Sequence, residues 1–172
     1  MLSTLISSNR SRRLPRSLPA AVAQLRLVRP LQRAMLVRSF LIVLSTLIIF
    51  LLGALHLLLT FRGTSFYPRV REFAFKMQAV SPLISTQTTM WNAAVGFHAS
   101  HSIGAMLFSV VYMYLALEPT GLLFQSTFLL VVGLVYLALL VTRCRLYWLR
   151  LPFAGMLLAT FLYAGGIIAT VA

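Results

Sequence analysis

Acidic side chains are nearly missing from this sequence: Glu72 and Glu118 are the two acids among 172 residues. Paired-carboxylate chemistry and Ser-His-Asp hydrolysis need an acid at the reacting centre, and these two sit in connections between apolar runs. The intramembrane carboxylate of a small proton-coupled exporter is missing too. A single cysteine, Cys144, excludes an internal disulfide. Arg143 and Arg145 beside it would favour its thiolate, but an incidental thiol at a membrane edge is the simpler reading. Walker, GxGxxG, HExxH and CxxC motifs are all absent, which removes the phosphate-binding and metal signatures that carry a mechanism.

Charge of either sign is scarce. Ten per cent of residues are charged and 60% hydrophobic, against about 25% and roughly 45–50% in soluble domains. A water-facing surface cannot be covered from this supply, so lipid is the solvent for much of the chain. The formal net charge is +13. Its arginines lie in an N-terminal extension and between apolar runs, without the interleaved aromatics of a nucleic-acid surface. Anionic headgroups are the expected partner, and nucleic acid is not.

Residues 1–38 form a basic extension with eight arginines and no acid. That composition is transit-like, or that of a disordered tail, or of sequence upstream of a start at Met35. Pro15, Pro19 and Pro30 are expected to interrupt any long helix there. Residues 39–172 are expected to form one membrane domain. The expected fold is all-α: an antiparallel bundle of four transmembrane helices at about 39–61, 91–117, 122–142 and 152–171. Twenty-three residues span roughly 35 Å, enough to cross with tilt. Between the first two spans, Val70, Phe73, Ala74, Met77 and Val80 recur at helical spacing opposite Arg71, Glu72, Lys76 and Gln78. This predicts a short interfacial helix opened by Pro68 and stopped by Pro82. Glu118-Pro119-Thr120-Gly121 predicts a tight turn between the second and third spans, and Arg143–Arg150 a basic aromatic loop. Without the extension, the two basic loops face the cytoplasm and both termini lie outside.

Three histidines, His56, His98 and His101, are the titratable groups at depth in these spans. Rise per residue places them at similar depth near the basic loops. On a helical wheel His98, His101, Ser102, Ala105, Ser109 and Tyr112 share a sector of roughly 100°, a face turned into the bundle. Gly96, Ser100 and Gly104 form an adjacent small-residue row suited to close helix approach. The expected polar pocket comprises His56, His98, His101, Ser102, Ser109 and Tyr112. Neutral histidines that glue helices together explain it most simply. The alternatives are a metal or haem site on His56 and His101, with His98 a further candidate ligand, and a pocket for a quinone or other lipid-soluble ligand.

The stretch GALHLLLTFRG with YPR, followed by TTMWNAAVGFHASHSIGAMLFSVVYMYLAL, resembles a family of small bacterial four-span membrane proteins of unknown function. The resemblance covers about residues 36–170 and is densest at Thr88–Leu107. It implies recurring polar positions at His56 and at Ser100-His101-Ser102, with His98 a departure where Asn is common. It also implies a bacterial inner membrane, with an organellar membrane the alternative if residues 1–38 are a transit peptide. No activity follows from it. The functional expectation is a non-catalytic scaffold or accessory subunit, possible as a homo-oligomer or part of a larger complex. The alternatives are the haem or metal redox protein and the lipid-soluble ligand binder or small transporter.

Overall fold

A computed structural model of the chain describes residues 18–147 and 150–171. It is all-helical: α1 (Leu18–Arg62), α2 (Arg71–Ala79), α3 (Met90–Leu117), α4 (Leu122–Gln125), α5 (Thr127–Tyr147) and α6 (Arg150–Val171). Four of these are long and apolar enough to cross a bilayer, within Gln32–Arg62, Met90–Leu117, Thr127–Tyr147 and Pro152–Thr170. The protein is a polytopic membrane bundle, α1, α3, α5 and α6 running alternately up and down. The antiparallel order is fixed by contacts at both ends. His56 faces His98, Gly155 packs on Leu52 and Gly166 on Ile42.

The distribution of polarity is that of a protein in lipid. Ser45, Thr46, Ser102 and Ser109 are buried, while Leu47, Leu51, Leu55 and Leu58 point outward from α1. With acyl chains as apolar as leucine, small and hydroxyl-bearing side chains gain more by going inside, where helices come close. Ser45 Oγ donates to the Ala159 carbonyl at 2.7 Å and ties α1 to α6. Ser109 Oγ donates to the Ala105 carbonyl of its own helix.

Four boundaries differ from the sequence expectation, each for a local reason. Pro30 does not interrupt α1, which is continuous from Leu18. A proline removes one N–H, and outside the hydrocarbon water can meet the carbonyl it orphans. The transit-like composition of residues 1–17 falls outside the described residues. Pro68 does not open α2, which begins three residues later at Arg71. The third span begins at Thr127 rather than Leu122, because Ser126 is extended (φ −104°, ψ 99°) and its Oγ accepts from the Leu129 N–H as an N-cap. Arg143–Tyr147, expected as loop, continues α5 as helix. The start of α3 is capped, and the tight turn expected after it is present. Thr89 caps α3 by accepting from the Asn92 N–H, and Gly121 takes the left-handed conformation (φ 69°) that the tight turn requires.

The helices are unevenly spaced. α1 packs closely on both α3 and α6. α3 and α5 are successive spans joined through the short α4, yet meet through large side chains rather than close backbones. Phe108 stacks on Tyr136 at 4.2 Å between ring centroids, and Tyr112 Oη donates to the Leu129 carbonyl at 2.9 Å. Tyr163 of α6 closes the same region: its ring is fully buried, and its hydroxyl donates to the Leu130 carbonyl at 3.3 Å. These rings lie over Gly133, where a Cβ would collide with the Tyr163 hydroxyl and stand 2.7 Å from the Tyr112 ring.

Candidate functional site: a histidine-lined cavity

α1 and α3 approach closely because Gly53 carries no side chain. A Cβ there would sit 3.1 Å from Met106 Cγ and 3.3 Å from the Ser102 carbonyl oxygen. One turn toward the basic end, this approach brings His56 against His98, with Nε2 and Nδ1 3.3 Å apart. One of these nitrogens donates and the other accepts, so the pair fixes complementary tautomers. The His101 ring lies 6.1 Å from that of His56. Phe66, in the connection between α1 and α2, stacks on His98 at 4.6 Å and meets His56 edge-on at 5.0 Å. The neighbouring hydroxyls turn away: Thr60 donates to the His56 carbonyl and Ser102 to the His98 carbonyl.

Beside the three imidazoles lies a partly open cavity of about 220 Å³. α1 contributes Leu52 and His56 to its wall, and α3 contributes His98, His101 and Ser102. α5 closes it with Leu140, Arg143 and Cys144, and α6 with Met156. The void has a packing origin. The aromatic wedge of Phe108, Tyr112 and Tyr136 holds α3 and α5 apart at the Tyr112 end, whereas toward the histidine end α3 turns Ser102 and Ala105 into the cavity. Side chains of that size cannot fill the same separation.

The sequence-predicted pocket is thus divided. His56, His98, His101 and Ser102 line the cavity. Ser109 and Tyr112 are buried on the same helix face but farther along α3, where Tyr112 belongs to the aromatic wedge. Sequence reasoning missed Phe66, Phe97, Arg143 and Cys144. Arg143 places its guanidinium over the Phe97 ring at 5.6 Å, and Phe97 lies near-parallel to His101 at 6.4 Å. The signal for the α5 residues was present: Leu130, Gly133, Leu137, Leu140 and Cys144 are the buried positions of α5, at alternating spacings of three and four. The small-residue row also sits differently. Nothing lies within 4 Å of a Cβ placed at Gly96 or Gly104, so within this chain the close approach belongs to Gly53 instead.

Among the described residues, no group of three or more His, Cys, Asp or Glu side chains is arranged to hold a metal ion. Comparison with models of protein families, with curated proteins and with solved structures finds no match.

Proposed function

We propose that this membrane protein holds a lipid-soluble small molecule, without transforming it, in the cavity beside His56, His98 and His101. The carrying observation is the cavity itself: a concave, mostly apolar space with a few polar groups converging from α1, α3 and α5. No acid stands near it to act as a base or nucleophile, since Glu72 pairs with Lys76 at 3.1 Å and Glu118 bonds to Thr120 in the turn after α3. The family resemblance supports a bacterial inner membrane as its location.

Thermal unfolding in lipid nanodiscs, with oleate and a decyl-substituted quinone as probes, tests the reading. A probe at a hundred times its Kd stabilises by about 2.7 kcal/mol, a rise of several degrees for a chain of this size. His101→Leu should remove that rise while leaving the unliganded midpoint close to wild type. If neither probe raises the wild-type midpoint, the reading fails.

A redox role with His56 Nε2 as a ligand would require the His56–His98 contact to open, because that nitrogen faces His98 Nδ1. A Soret band in the purified protein would revive it. The scaffold or accessory-subunit reading draws on the outward Gly96–Gly104 row, and a helix–helix crosslink between Gly96→Cys chains would favour it.

A further inference from the structure

Taking that ligand-binding reading as its basis, we infer that the occupant is a long-chain monocarboxylate. Its carboxylate sits on the Arg143 guanidinium, and a single acyl chain runs along the leucine-lined wall. Three observations point to this class.

The first is charge. Arg143 stands on the cavity wall, and neither acid of the chain reaches it, each being engaged elsewhere. Its Cζ stands over the Phe97 ring, 5.6 Å from the centroid, and a ring face is not a carboxylate-type acceptor. The N–H groups lie in the guanidinium plane, where a carboxylate can accept two of them side by side. Arg143 is exposed in the last turns of α5, so an anion entering the cavity from the headgroup side can reach it.

The second is size. About 220 Å³ is below the roughly 300–1,000 Å³ of pockets that enclose drug-sized ligands. It suits a carboxyl group and the first part of one chain, and not a two-chain lipid body. The third is the lining: Leu52, Leu55, Leu59 and Leu140 stand in the cavity wall. Leu55 is also exposed on the outside of α1, so the rest of a single chain can pass along α1 from the cavity to the bilayer.

Native mass spectrometry of the full-length protein released from detergent micelles tests this, with oleate, methyl oleate and dioleoyl phosphatidylglycerol as probes. Wild type should retain one oleate per chain and hold methyl oleate at least about tenfold more weakly, since a charge-assisted hydrogen bond is lost. Arg143→Gln should bring oleate down to the level of the ester, and Arg143→Lys should restore much of the difference. Oleate should also slow modification of Cys144, which shares the cavity wall.

Equal retention of oleate and methyl oleate by wild type would overturn the carboxylate assignment and leave the ligand-binding reading standing. Retention of neither would remove both. Oleate bound as well by Arg143→Gln as by wild type, or displaced by the two-chain phospholipid at equal concentration, would also overturn it. The wild-type comparison of acid and ester needs no variant to fold.

Discussion

At one end of the bundle Tyr112 and Tyr163 donate to the consecutive carbonyls of Leu129 and Leu130, and their rings cover Gly133 with no space for a methyl group. At the other end α1, α3, α5 and α6 surround about 220 Å³ between His56, His101 and Arg143. The open end carries three imidazoles and a guanidinium, but polar groups alone do not make a space. The difference is where bulk is placed. Aromatic side chains set the separation of α3 and α5, and the small side chains Ser102 and Ala105 nearer the histidine end inherit that separation without being able to fill it. In a membrane, where burying apolar surface from lipid gains little, side-chain volume decides which region is closed and which is open.

The contrast is broken most severely at its closed end. Gly133→Ala should cost about 1–3 kcal/mol through overpacking, read as a clear fall in thermal midpoint in nanodiscs. Tyr163→Phe keeps the ring and loses the hydrogen bond to Leu130, so about 1 kcal/mol should go. A larger loss would mean that the hydroxyl, and not the ring, holds α5 to α6. At the exposed Gly104, alanine should leave the midpoint within about 0.5 kcal/mol of wild type. A loss as large as that of Gly133→Ala would show that another chain packs on that face.

The smallest effect is expected in the turn after α3. Hydrogen bonds from the side chain and then the backbone N–H of Thr120 hold the Glu118 carboxyl below the ordinary carboxylate value. A depressed carboxylate contributes stability that is present above the unfolded value and is lost as pH falls through the folded one. Thr120→Val should therefore flatten the acid arm of the midpoint-versus-pH curve, slightly, because Glu118 is exposed to solvent. An unchanged acid arm would assign it to other groups.

The four spans were legible because charge-free runs longer than a bilayer is thick have few other uses. The inward face of α3 was legible as well. Ser102, Ala105, Ser109 and Tyr112 keep a spacing of three and four, and all are buried. The end of α5 was not, since Arg143 and Arg145 were read as loop markers although Cys144 continues the buried stripe. A helix can carry arginines through its last turn when they emerge beside headgroups or onto an aromatic ring, as Arg143 does on Phe97. The Gly96–Gly104 row shows a second limit. Small residues advertise that a helix can be approached, but not which helix approaches, and here α1 brings its own glycine, Gly53, to the neighbouring face. The cavity belongs to no single segment. It follows from a spacing imposed at Phe108 and Tyr136, which no local pattern encodes.

Cys144 is the chain's one native thiol and lies in the cavity wall, which gives the contrast between open and closed ends its most direct test. The measurement is the rate of modification by methyl methanethiosulfonate in native membranes, for wild type and for Ser109→Cys in a Cys144→Ser background. Position 109 is fully buried at the closed end. The thiol at 144 should react without denaturant, and the thiol at 109 should stay protected until the bundle unfolds. Equal rates, or a thiol at 109 that reacts first, would contradict an open histidine end and a sealed tyrosine end.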